Sequence, residues 1–281
     1  MKIKKYLKDF TTIVKYNLKI EMRYPLSYIA GIFNMFFWML SISILVIILS
    51  GQKENIILGN IIIWGFIGYM IYQTIISEVG FGIYRLQRRG TLEQIFLTPI
   101  PHWILPLGLA GFSLTIAMIF SILVILFLST MLNIPLIITN PLQGILATIL
   151  LFNMTYGLAL IYAGIAIKTK KSSWALVNAL QMIFLLFCGV FYSFKTMPQW
   201  LLTISKTIPF SYAIDLMRTT IIGIPPELAP KTITIMGTKI NGATFEWIIT
   251  ATISTTLLTA GYTYLNKKIK EAKKKGLLAT Y

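Results

Sequence analysis

For its size, this 281-residue chain is short of acids: 9 Asp and Glu stand against 25 Lys and Arg, with one cysteine and one histidine. Each shortage removes a class of chemistry. Cys188 alone cannot close an internal disulfide or build a cysteine-based zinc site. His102, between Pro101 and Trp103 at the edge of an apolar segment, cannot form a multi-histidine metal centre or a His-Glu-x-x-His motif. It reads as an interfacial side chain. No Asp-x-x-Asp cluster is present to hold the Mg²⁺ that enzymes of prenyl or lipid phosphates use. No Gly-x-x-x-x-Gly-Lys-Ser/Thr stretch occurs, so the chain has no P-loop of its own. Charged residues make up 12% of the chain, about half the ~25% usual in a soluble domain. That argues against an ordinary soluble enzyme. A chain that is 56% hydrophobic and 13% aromatic is equally far from the composition of disorder.

What is present is apolar sequence in long runs. A membrane-spanning helix needs about 20 mainly apolar residues, and six segments qualify: Leu26–Leu49, Ile57–Ile76, Ile104–Leu128, Leu142–Ile167, Trp174–Phe194 and Trp247–Leu265. None contains Lys, Arg, Asp or Glu. Backbone groups in lipid must be satisfied within the segment, so such runs read as helices. Serines occur in the spans, but no span supplies a base to activate one. Proton-coupled carriers place ionisable groups inside the bilayer, so their absence here weighs against a proton-driven mechanism.

The formal net charge of +16 becomes informative once it is divided by position. Nineteen of the 25 basic residues fall in the N-terminal segment, the loops after the second and fourth spans, and the C-terminal tail. Lys53, Lys195, Lys206, Arg218, Lys231 and Lys239 occupy the other side. This bias places both termini in the cytoplasm of a multi-pass plasma-membrane protein. The charge is a topology signal rather than a nucleic-acid footprint.

Residues 1–25 have a different character. Ile3, Tyr6, Leu7, Phe10, Ile13, Val14 and Leu18 share one helical face, and Lys4, Lys5, Lys8, Thr12, Lys15 and Lys19 the other. A basic amphipathic helix of this kind suits the surface of an anionic leaflet; packing against a partner protein is the alternative. The basic tail, 266–281, is expected on the same side.

The loop 78–103 carries Arg89-Gly-Thr-Leu-Glu-Gln-Ile-Phe-Leu-Thr-Pro99. Gly90 breaks the chain. Thr91 reads as an N-cap with Gln94 completing a capping box, Glu93 suits the helix dipole, and Thr98-Pro99 ends the element. A helix of about two turns showing Leu92, Ile95 and Phe96 needs something to cover it: the underside of the bundle, or a cytoplasmic partner. On the outer side, residues 195–246 open with two short apolar segments. Pro198 can start one helix and Pro209 the next. Each is too short to span, which suggests a re-entrant or interfacial hairpin. Asp215 and Arg218 are spaced to pair on one helical face. Ile224–Glu246 is rich in Pro and Gly and reads as an exposed loop, with a short hairpin around Thr232–Asn241.

Polar uncharged residues remain within the spans: Asn34, Gln73, Asn153, Tyr156, Asn178 and Gln181. Small residues at Ala159/Ala163 and Gly65/Gly68 permit close helix contact. Most such residues hold helices together, and some are candidates for lining a substrate path.

Taken in order, the amphipathic N-terminal helix, the six spans, the Arg89–Pro99 stretch and the segment Met197-Pro-Gln-Trp-Leu … Pro209 … Tyr212 … Asp215 … Arg218 resemble the permease subunits of ABC transporters of the ABC-2 type. The resemblance covers nearly the whole chain. It implies an all-α polytopic fold, with 26–265 as the transmembrane domain and an outer re-entrant hairpin before the sixth span. It implies that Gly90, Thr91, Leu92, Glu93, Gln94, Ile95, Phe96 and Pro99 form a coupling helix against a separate ATPase subunit. Pro198, Trp200, Pro209, Tyr212, Asp215 and Arg218 would belong to the hairpin. ATP and Mg²⁺ would be bound by the partner and no cofactor by this chain, which is therefore not itself an enzyme. A second permease chain, identical or related, would complete the path of an exporter. The alternatives from the residues themselves are an ATP-independent carrier or channel, and a non-transporting membrane scaffold or immunity protein.

Overall fold

Helix α1, Lys2–Glu21, packs its apolar side on the bundle. Its seat is a notch in α5 (Ile104–Met131), where the absence of side chains at Gly108 and Gly111 admits Ile13, Phe10 and Val14. Tyr6 meets Trp103 edge-on at 5.8 Å. Leu7 stays exposed, so the amphipathic face is divided between the protein and the surroundings. The computed structural model describes residues 2–23, 25–26, 29–31, 33–34, 37, 40–41, 56–98, 101, 103–131, 134–169, 174–230, 232–235 and 238–274. The first predicted span, Leu26–Leu49, lies largely outside the described residues, as do Pro99, His102 and 275–281.

The central element is a continuous helical rod, Ile56–Arg88, of 33 residues. At ~1.5 Å per residue it is about 50 Å long, well beyond a ~30 Å hydrocarbon core. Hydropathy predicts that the second span stops at Ile76. Instead α2 (Ile56–Ile75) passes through a π-helical stretch, Ile76–Phe81, into α3 (Gly82–Arg88). The wide turn is where the rod meets α6 (Pro141–Thr169): the Tyr162 ring lies where a side chain on Gly80 would go. After a left-handed turn at Gly90, α4 (Thr91–Leu97) runs back against the rod, followed by α5 and α6.

The fifth predicted span, Trp174–Phe194, is cut short. Helix α7 ends at Phe187 after 14 residues. The chain then turns through Gly189, whose φ is +67°, and the backbone carbonyls of Gly189 and Tyr192 are turned to Arg218 rather than along a helix. A 3₁₀ turn at Phe194–Thr196 leads to α8 (Gln199–Thr207) and α9 (Pro209–Ile222). Pro198 precedes α8, and Pro209 occupies the first turn of α9. With 11 of its 14 residues buried, α9 is wedged against α2, α6 and α10. Antiparallel strands β1 (Thr232–Ile235) and β2 (Thr238–Asn241) pair Thr232 with Asn241 and Ile235 with Thr238. The 33-residue α10, Gly242–Lys274, closes the fold.

Among the described glycines, the closest approach to another backbone joins α6 and α10. A Cβ on Gly261 would come 2.2 Å from the Gly157 carbonyl oxygen, and one on Gly157 would come 2.5 Å from the Leu257 backbone. Ser254 donates across the same seam to the Leu150 carbonyl at 3.1 Å. Ala159 and Ala163 are fully buried; Gly65 abuts the Val190 backbone, and Gly68 abuts Ile214.

Among the described residues, three helices are long and apolar enough to cross a membrane: Ile56–Arg88, Ile104–Phe127 and Pro141–Ile167. Their exposed faces carry Met118, Ile122 and Leu126 on α5 and Leu142, Ile145 and Ile149 on α6. Helix α10 is long enough but rich in threonine. Thr252, Thr255, Thr259 and Thr263 donate to the carbonyls four residues earlier. That bonding satisfies each hydroxyl inside its own helix, as a lipid environment requires.

Candidate functional site

The two ends of the bundle carry different chemistry. At the end of the rod, Gly90 adopts φ +69°, and no atom lies within 4 Å of the point where a Cβ would stand. Its requirement is therefore conformational, since L side chains disfavour that region. The turn allows α4 to fold back beside α3. The expected capping box is not formed: Gly90 holds the N-cap position, and Thr91, the first helical residue, donates instead to the Leu86 carbonyl at 3.1 Å. The Thr91 hydroxyl is thus tied to the last turn of α3, and Gln94 is left exposed.

Helix α4 has two sides. Leu92 is fully buried in the main core, and Ile95 is half-buried against it. Thr91 and Glu93 are half-buried, whereas Gln94 and Leu97 point away, Leu97 with 80% of its surface exposed. The Phe96 side chain and Pro99 lie outside the described residues. Exposed Arg88 and Arg89 adjoin this surface. Arg85 is held back by Glu78 in the π-helical turn, at 3.0 Å.

At the opposite end, α7, α9, the loop after α9 and the start of α10 meet in a buried polar knot. Arg218 is wholly buried. It bonds Asp215 through Nε at 3.2 Å and Nη2 at 3.1 Å, Glu227 at 2.7 Å, and the carbonyls of Gly189 and Tyr192 at 2.7 and 2.9 Å. The Phe194 ring lies 4.6 Å from its guanidinium carbon. Asp215 also accepts the amides of Glu227 and Leu228 at 2.8 and 2.9 Å. Glu227 accepts from the Ser193 hydroxyl and the Phe194 amide, at 2.7 and 2.8 Å. Glu246, at the start of α10, is fully buried and accepts the Ala229 amide at 3.1 Å. Burial, and then the neighbouring Asp215 carboxylate, raise its pKa well above the ordinary glutamate value. Sequence spacing pointed to Asp215 and Arg218 but not to Glu227 or Glu246. Both belong to irregular or terminal segments, where no periodicity marks a partner. Of the other hairpin residues, Tyr212 is half-buried, while Pro198 and Trp200 are exposed, Trp200 by 65%.

Among the polar span residues, Gln181 and Asn178 lie beside the π-helical turn. Gln181 donates to Ser77 in the π-helical turn at 3.0 Å, and Asn178 lines a cavity of about 170 Å³ with Ser77, Glu78, Phe81 and Val177. Gln73 and Asn153 are half-buried elsewhere, Tyr156 stacks on Phe152 at 5.9 Å, and Asn34 is exposed. Nothing in the sequence singles out Asn60, yet it ties α2 to the loop before α6: it donates to the Pro135 carbonyl at 3.0 Å and accepts the Ile137 amide at 2.8 Å.

A helical bundle with apolar exposed faces, a short docked helix at one end and a buried ionic knot at the other has the character of a membrane-embedded protein. The chain matches the ABC-2 type transporter family over residues 8–222. No curated protein matches it. The chain belongs to the ABC-2 type transporter family, the match running from α1 to the end of α9. It is a permease component of an ABC transporter: a transport subunit, not itself an enzyme.

Proposed function

We propose that this chain is the transmembrane subunit of an ATP-driven ABC-2 type exporter of the plasma membrane, with six spans, both termini in the cytoplasm, and ATP hydrolysis supplied by a separate subunit. The observation that carries this reading is the division of α4. Leu92 and Ile95 anchor it to the bundle, while Gln94 and Leu97 face away beside Arg88 and Arg89. A short helix rigidly attached to the bundle and open on its other side can pass a push from a docked ATPase into the rod Ile56–Arg88. Two permease chains shifting as rigid bodies would then alternate access. Helices α8 and α9 form the re-entrant hairpin in the outer leaflet. ATP and Mg²⁺ belong to the partner's site.

The test is reconstitution with the ATPase subunit. Glu93→Arg combined with Leu97→Arg is expected to abolish co-purification of the ATPase and ATP-dependent transport, while leaving insertion and thermal stability intact. Normal coupling in this variant would reject α4 as the transmission element. Transport by the chain alone in proteoliposomes would replace this reading with an ATP-independent carrier.

A further inference from the structure

The buried knot holds more acid than base. Asp215, Glu227 and Glu246 gather near a single guanidinium, that of Arg218, and all four side chains are essentially excluded from solvent. Asp215 takes two bonds from Arg218 and two from the amides of Glu227 and Leu228, and its carboxylate lies against that of Glu246. Glu227 has donors on both oxygens. Glu246 does not: Oε1 takes the Ala229 amide, and the buried Oε2 has no partner. Successive amides of one loop therefore bind the two carboxyls, 227 and 228 on Asp215 and 229 on Glu246, and this sets the two acids side by side.

A buried carboxylate oxygen without a donor is costly, and two adjacent ionised carboxylates more so. The same oxygen becomes satisfied if it carries a proton and donates. Three carboxyls crowd one guanidinium, and a proton on Glu246 reduces that imbalance. We infer that Glu246, set against Asp215, is a proton-binding site, with the proton resident on Glu246 and donated toward Asp215, fastening the start of α10 to α9 and the loop 227–230. The groups facing Glu246 are consistent with this. From α9 they are Asp215, Arg218 and Tyr212; from the loop, the Ala229 amide. Asn140, Gln143 and Trp247 line a cavity of about 370 Å³ with Glu246. The polar wall of that cavity gives water, and so the proton, a route to the site. The raised pKa of Glu246, caused first by burial and then by Asp215, has the same origin.

Unfolded, Glu246 loses its proton above about 4.5; folded, it keeps it. Unfolding then releases one proton, and the folding equilibrium weakens by about tenfold per pH unit through the neutral range. The full chain in ester-free detergent tests this in two ways. Infrared spectra of the wild type at neutral pH should contain a protonated-carboxyl C=O band that is missing in Glu246→Gln. Thermal unfolding of the wild type should carry one more proton of pH dependence than that of Glu246→Gln, whose amide can donate in the same place. Parallel pH profiles, or a band unchanged by the substitution, would overturn the assignment. Should the variant fail to fold, the wild-type spectrum decides alone: a neutral-pH acid band supports the site, and its absence rejects it.

Discussion

Arg218 and Glu227 meet at 2.7 Å with both side chains shut off from solvent, one from the middle of α9 and the other from the loop that follows it. The loop folds back so that its own amides bind Asp215, a turn earlier on α9 than Arg218. The contact therefore holds an irregular segment to a helix and, through the carbonyls of Gly189 and Tyr192, to the end of α7. A buried pair of this kind contributes little over an apolar replacement of both partners, but removing one partner strands a buried charge.

Arg218→Ala should accordingly destabilise the protein by about 3–5 kcal/mol. Glu227→Gln, which keeps the shape and one acceptor, should cost less. Chemical denaturation in detergent checks the order, and equal losses would show that the knot responds to shape rather than charge.

Substituting valine at Gly261 should prevent α6 and α10 from closing, because its Cβ would fall on the Gly157 carbonyl. Backbone cannot yield as a side-chain tip can, so the cost should exceed the ~1–3 kcal/mol typical of overpacking. The readout is a cross-link between cysteines placed at positions 150 and 254, which should form in the parent and fail in Gly261→Val.

Leu92→Ala and Leu97→Ala should separate the two sides of α4. The first empties a fully buried site and should lower stability by about 2–5 kcal/mol. The second removes an exposed side chain and should leave unfolding within ~0.5 kcal/mol of the parent, while weakening binding of the ATPase subunit. Melting curves and pull-down on the same preparations distinguish them.

At Gly90, alanine should cost about 1–2 kcal/mol through the left-handed backbone alone, with no steric penalty, since no atom lies within 4 Å of the added carbon. Gly90→Asn introduces a side chain that tolerates this conformation better, so its loss in the same melting assay should be smaller than that of Gly90→Ala. A larger loss with asparagine than with alanine would show that the position is limited by space.

The helices were legible in the sequence because lipid leaves the backbone no other means of satisfying its hydrogen bonds, so long uncharged runs specify themselves. Among the described residues, three are long and apolar enough to cross a membrane. The same reasoning overran at Trp174–Phe194, where composition stayed apolar after the helix had stopped at Phe187. The stop depends on Gly189 and on a distant arginine, neither of which changes the hydropathy. It also fell short at Ile76, because the rod continues through Glu78 and Arg85, whose charges pair with each other. The capping box failed for a related reason: Gly90 took the N-cap position, and the Thr91 hydroxyl donates to the Leu86 carbonyl of the preceding helix.

By itself, the sequence determined the class of protein, a basic, mostly helical membrane protein without a nucleotide-binding loop. Those properties depend on composition and on short-range periodicity, which every segment carries locally. Tertiary structure alone decided which side of α4 faces the bundle, that Gly157 and Gly261 bring two helix backbones together, and that Glu227 and Glu246 complete a knot begun by Asp215 and Arg218. These depend on groups far apart in the chain sharing one buried volume, where a carboxyl's partners, and its proton, are set by what surrounds it rather than by its neighbours in sequence.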